Sequence, residues 1–248
     1  MQNQFDPRRA ADTSGGVNAA TVGVPRAARD VGLRSYMLSV YNYMASGVLL
    51  TGIVAMLFAN SGYAAMVFQG GGILPWVIIL SPLAIVFAMS FGVTRMQTST
   101  LQLLFWAFAT LMGLSMSTVF LIYTGTSIAQ TFFAVSAGFA GLSLWGYTTK
   151  KDLSGFGTFL IMGVVGLLVA MLINLFLQSP TMMLAISAIG VLLFAGLTAY
   201  DTQSIKSMYD QVRGTDMQGK VVIMGALRLY LDFINMFQFL LSFMGNRR

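Results

Sequence analysis

The chain has 248 residues, 56 % of them hydrophobic and 9 % charged, with a mean hydropathy of +0.76 and a formal net charge of +6. Soluble proteins carry about 25 % charged residues, whereas between Ser35 and Tyr200 the only charges here are Arg95, Lys150, Lys151 and Asp152. So few charges cannot make a water-facing surface. They exclude a cytosolic enzyme, a disordered chain, a secreted disulfide scaffold and, for want of a basic stripe, a nucleic-acid module.

Residues 1–34 are polar and include Arg8, Arg9, Arg26, Arg29 and Arg34. They read as a flexible cytoplasmic tail without the apolar core and small-residue cleavage site of a secretory signal. Residues 35–245 then form one membrane domain. A membrane-spanning helix needs about 20 mainly apolar residues, and seven segments meet that length: 35–57, 73–93, 100–122, 127–147, 156–177, 180–202 and 219–243. Tyr123-Thr124-Gly125-Thr126 is a tight turn between the third and fourth. Ser179-Pro180 separates the fifth and sixth, with the proline placed to start a helix. Small residues suited to close helix packing recur in the third segment (Ala107, Ala109, Gly113, Ser115, Ser117) and the fourth (Gly138, Gly141).

Charge sets the orientation. Arginines crowd the N-terminal tail, Arg95 follows the second segment, Lys150 and Lys151 the fourth, and Lys206, Arg213 and Lys220 the sixth. The alternate connections, 58–72, 123–126 and 178–179, hold no Lys or Arg. The positive-inside rule therefore predicts a cytoplasmic N-terminus and cytoplasmic exits after each even-numbered segment. The two arginines at 247 and 248 fit less well, because seven full crossings put them on the far side. A last helix that fails to cross would return them to the cytoplasm.

The chain has no cysteine, histidine or glutamate, and only eight aspartates. Thiolate and histidine metal sites, a Ser-His-Asp triad and an HExxH site are all absent, and the chain is read as not an enzyme, with no cofactor. The informative charges lie inside the apolar segments. Asp232 is near the middle of the last one, and a carboxylate facing lipid there costs about 2.5–3.5 kcal/mol. It should face the bundle interior, a partner or water. Arg228 lies one turn earlier and shares its face, so the residue reads either as half of a structural ion pair or as an ion- or proton-responsive site. Asp201 ends the sixth segment and reads alone as an interfacial charge. Where the sixth and seventh helices pack together, however, it joins Asp232. Two adjacent carboxylates resist double ionisation and titrate as a unit; unprotonated, they offer the hard oxygens that calcium prefers. Arg95 reads as a snorkelling, topology-setting arginine or as a latch closing on one aspartate. Asn42 and Asn174 read first as polar contacts between helices, and Lys150-Lys151-Asp152 as a solvated loop.

The runs Gly196-Leu197-Thr198-Ala199-Tyr200-Asp201-Thr202-Gln203-Ser204-Ile205-Lys206 and Gly225-Ala226-Leu227-Arg228-Leu229-Tyr230-Leu231-Asp232-Phe233-Ile234-Asn235 resemble the Bax inhibitor-1 family, also called the transmembrane BAX inhibitor motif family. The run from Gly141 to Leu153, the helix around Val40-Tyr41 and the run from Thr110 to Thr124 resemble its bacterial branch. The likeness covers about residues 35–244, with three separated motifs in order. It implies an all-α fold of seven transmembrane helices, the last one central and surrounded by the other six. It also implies a pH-sensitive calcium leak of the bacterial inner membrane, with calcium ions and protons as partners beside the lipid bilayer. Asp201 and Asp232 match the family's aspartate pair, and so become the ion and calcium site. Arg95 matches its latch, and Arg228 and Asn235 are placed to tune the pair. Arg228 departs from relatives that carry an acid at that turn, and its charge disfavours a cation beside Asp232. The alternative implied by bacterial relatives is a regulator that binds another membrane protein, such as an ATP-dependent protease, without ion transport.

Overall fold

The computed structural model describes residues 26–247, and within them the chain is helical almost throughout. Eight helices follow in order: α1 (Arg26–Asn60), α2 (Tyr63–Gln69), α3 (Leu74–Gly92), α4 (Thr98–Ile122), α5 (Gly125–Thr148), α6 (Ser154–Leu177), α7 (Pro180–Val212) and α8 (Met217–Met244). Seven are long and apolar enough to cross a membrane; α2 is a seven-residue helix in the connection between the first two spans. Lipid offers no hydrogen bonds to the backbone, so helices that satisfy their own amides are the form such segments must take.

The helix boundaries follow local chemistry. Ser179 caps α7, its hydroxyl accepting from the Met182 amide, with Pro180 next in the first turn. Thr124 caps α5 in the same way through the Ser127 amide. α1 begins well before the apolar run, at Arg26, and α7 continues past it to Val212. At about 1.5 Å per residue the 33 residues of α7 span about 50 Å, more than the roughly 30 Å hydrocarbon core, so its last turns emerge from the membrane. There Arg29 of α1 donates to the two carboxylate oxygens of Asp210 through its Nε and Nη2. Residues 1–25 of the N-terminal tail lie outside the described residues, and the remainder of that tail is helical from Arg26.

α8 forms the axis of the bundle. Of its apolar stretch 67 % is buried, against 11 % for α6 and 17 % for α3. It packs directly on α1, α4, α5 and α7, while α3 rests on α4 and α6 rests on α7. Close approach uses small residues where backbones meet. A Cβ on Gly146 would lie 2.3 Å from the Ala199 carbonyl, joining α5 to α7, and one on Gly113 would lie 2.8 Å from the Thr51 carbonyl, joining α4 to α1. Ser115 donates across to the Ile78 carbonyl of α3 at 2.7 Å. Gly138 and Gly141 differ from expectation, since both face open space on the outer face of α5. Asn42 likewise faces outward, and Asn174 accepts from the Ser179 amide at the α6–α7 turn instead of reaching another span.

The C-terminus settles against the end opposite to Arg26. The Asn246 carbonyl accepts from the Thr124 amide, and its own amide donates to Ser127 Oγ at 3.0 Å. α8 therefore runs the full length of the bundle. Arg247 lies at the far end of the bundle, against Tyr123, while Arg34, Arg95, Lys150, Lys151, Lys206, Arg213 and Lys220 share the other.

Candidate functional site

Two antiparallel helices joined by a short turn must lie side by side, and the α7–α8 turn is only 213–216. Gly225 sharpens the fit, since a Cβ there would meet Ile205 at 3.3 Å. This packing brings Asp201 of α7 and Asp232 of α8 close enough for their carboxyls to act on each other. Asp232 is only 4 % exposed and Asp201 is half-buried. Asp232 Oδ2 is buried with no hydrogen-bond partner. An unpaired buried carboxylate oxygen is costly, so this atom is where a proton or a cation would be stabilised most.

Arg228 is the positive charge that acts on both carboxyls, from one turn away on α8. Arg95 is not brought to them. It is exposed on the turn between α3 and α4. In this conformation the base near the aspartates is thus Arg228. Asn235 folds its amide back, donating to the Leu231 carbonyl at 2.8 Å, which leaves its side-chain oxygen as an acceptor. Among the described residues no group of three His, Cys, Asp or Glu side chains gathers for a metal.

The pair lies between two crevices. One, of about 340 Å³, opens between α3, α7 and α8 and reaches Arg228 and Leu231. The other, of about 200 Å³, lies between α6, α7 and α8 and is lined by Asn235, Gln238 and Ser242. Arg228, Leu231, Asn235, Gln238 and Ser242 recur at spacings of three and four, so they form one stripe of α8, with Asp232 at its shoulder. The crevices stop one helical turn apart, at the level of Asp232. Gln238 and Ser242, whose Oγ is also buried without a partner, are site residues that reading the charges alone overlooks. Their signal is the continuation of the stripe past Asn235.

Around this stripe the core is tied down. Thr51 donates to the Ala109 carbonyl at 2.8 Å and meets the Tyr230 hydroxyl at 2.6 Å, linking α1, α4 and α8. Gln203 donates to the Lys151 carbonyl and accepts from the Leu153 amide, which fixes the α5–α6 loop against α7. In that loop, hydrogen bonds from the Ser154 hydroxyl and amide hold the Asp152 carboxyl below the usual carboxylate range.

A seven-span helical bundle whose buried central helix meets an acidic residue of its neighbour with one of its own defines a multi-pass membrane protein of a particular kind. The family described as "Inhibitor of apoptosis-promoting Bax1" matches residues 33–248, and the chain belongs to it, the Bax inhibitor-1 family. Among curated relatives, an uncharacterised Rickettsia prowazekii protein is 50 % identical over 222 residues, covering 88 % of this chain and 92 % of the relative. A Caulobacter vibrioides protein is 46 % identical over 230 residues, covering 88 % and 91 %. The inner membrane protein YbhL of Escherichia coli is 43 % identical over 219 residues, covering 88 % and 94 %.

Proposed function

We propose that this chain is a pH-sensitive calcium leak of the bacterial inner membrane, its N-terminus in the cytoplasm, with Asp201 and Asp232 as the ion- and proton-responsive element. The observation that carries this reading is the orphaned Asp232 oxygen on the central helix, facing a second carboxyl where two crevices nearly meet. A carboxyl pair is an economical barrier. Doubly ionised, it attracts a divalent cation; protonated, it presents no charge and its hydroxyl closes onto its neighbour. Two carboxylates fall short of the six to eight oxygens that calcium takes. Contact is therefore brief, which suits passage and not storage.

Arg228 sets the balance. Exposed in the crevice that it lines, it makes no ion pair with either carboxylate, and its nearby charge disfavours a cation beside them. The charged groups acting on Asp232 are Asp201 and Arg228, and those acting on Asp201 are Arg228 and Asp232. The Lys and Arg residues gathered at one end support this orientation. The Escherichia coli relative's description as an inner membrane protein supports the location.

Calcium flux in proteoliposomes tests this. Because protons and calcium compete for the pair, flux should fall on acidification, and Asp232→Asn should flatten that dependence. Flux equal to that of empty liposomes from about pH 5 to about pH 8 would overturn the leak, leaving a regulator of another membrane protein as the reading to pursue.

A further inference from the structure

α1 and α5 both pack on α7 and α8 but part from each other. The seam between them holds a cavity of about 480 Å³ at the Arg34 end, open to the side. Its lining is apolar apart from Arg34 and the hydroxyls of Tyr41, Ser143 and Tyr147, with Phe139 and Ala140 along one wall. Arg34 is exposed at its mouth. Five residues earlier, Arg29 pairs with Asp210, the only ion pair among the described residues, so Arg34 has no acidic partner among them. A second cation stands close by. Lys206 donates to the Tyr147 carbonyl at 2.6 Å and lies over the Tyr147 ring, 4.8 Å from its centre. Asp30, one turn before Arg34, is exposed and leaves the mouth with net positive charge.

Size decides between occupants. From Arg34 to Tyr41 the seam runs about 10 Å, a large part of the roughly 15 Å half-thickness of a bilayer core. A helix about 10 Å across would displace roughly 800 Å³ over that length, too much for the cavity. A slender hydrocarbon chain fits. Its polar end would then lie at the membrane surface beside Arg34 and Lys206, where an anion is favoured and a zwitterion gains less.

We propose that the α1–α5 groove is a binding site for an anionic phospholipid of the leaflet at the Arg34 end, its acyl chain along Phe139 and Ala140 and its phosphate on Arg34. This proposal does not rest on the aspartate pair or on ion passage.

The test uses the full chain in detergent, with lipid binding followed by native mass spectrometry. Phosphatidylglycerol should bind about fivefold more tightly than phosphatidylcholine with the same acyl chains, as one basic residue near a headgroup predicts. Arg34→Gln should reduce that preference to within about twofold, and Arg34→Lys should retain most of it. Ala140→Trp, which fills the groove, should weaken both lipids. Equal binding of the two lipids by the wild-type protein would overturn the proposal, as would a preference unchanged in Arg34→Gln. So would inorganic phosphate displacing the phosphatidylglycerol, because that would mean a site for the anion alone.

Discussion

α6 and α8 are built inside out relative to each other. α6 is the most apolar span, with a mean hydropathy of 2.7, and it is the least buried; α8, at 1.3, is the least apolar and the most buried. In water the order would be reversed. In a bilayer, lipid tails solvate Leu and Phe as well as another helix does, so apolar side chains need no protein around them. Polar groups do. Asp232, 4 % exposed, and half-buried Asn235 are covered by the neighbouring spans, whereas Arg228 and Gln238 sit on the one exposed stripe of α8, which faces the two crevices. Hydropathy in such a chain reports contact with lipid, and its local failures report function.

That contrast can be broken at several places. The largest stability effect should come from α8 itself. Leu229 is fully buried, and Leu229→Ala should cost about 2 kcal/mol through the cavity left behind, read as a lower midpoint in thermal unfolding. Leu175→Ala, on the exposed face of α6, should change stability by less than about 0.5 kcal/mol and leave that midpoint nearly in place. Equal effects would mean that α8 is not the core.

Next in size is the backbone contact at Gly146, whose added Cβ would meet the Ala199 carbonyl. Gly146→Val should destabilise by about 1–3 kcal/mol, whereas Gly138→Ala, facing open space, should be neutral or stabilising. Thr51→Ala should follow at about 1 kcal/mol, since it strands the Tyr230 hydroxyl in the centre of the bundle.

The smallest effect lies outside the membrane. Asp152 is held ionised by Ser154, its folded pKa below its unfolded one. The hold it exerts on the start of α6 is therefore present above the usual carboxylate range and is lost as pH falls through the lower folded value. Hydrogen exchange at the Ser154 amide should accelerate, relative to its neighbours, over that acid window in the wild-type protein. Asp152→Asn should remove the window.

Much of this architecture is legible before any coordinates, because the constraints of lipid are severe. Six of the seven long helices contain a predicted span and α3 lies just inside the remaining one, 73–93; the turn at 178–179 falls where expected, while that at 123–126 shortens to 123–124 because α5 begins at Gly125. The helix at 63–69 escaped notice because it is short and lies on the bundle in a connection. The extensions of α1 to Arg26 and α7 to Val212 escaped because those turns leave the membrane, where apolar content no longer marks a helix. Asp201 and Asp232 stood out because charge in an apolar run demands a reason. Their meeting depended on α7 packing against α8, which sequence could only propose. Arg228, Gln238 and Ser242 were harder to weigh, since a helical stripe becomes a lining only when neighbouring helices stand back, as α3 and α6 do. Gly138 and Gly141 show the converse: small residues permit close packing without causing it.

The most direct test of the aspartate account is calcium flux in proteoliposomes, comparing the wild-type protein with Asp201→Asn and Asp232→Asn at matched incorporation. The account predicts wild-type flux that falls on acidification, and variants whose residual flux varies little with pH. Variants that keep both the flux and the pH profile of the wild type would contradict it.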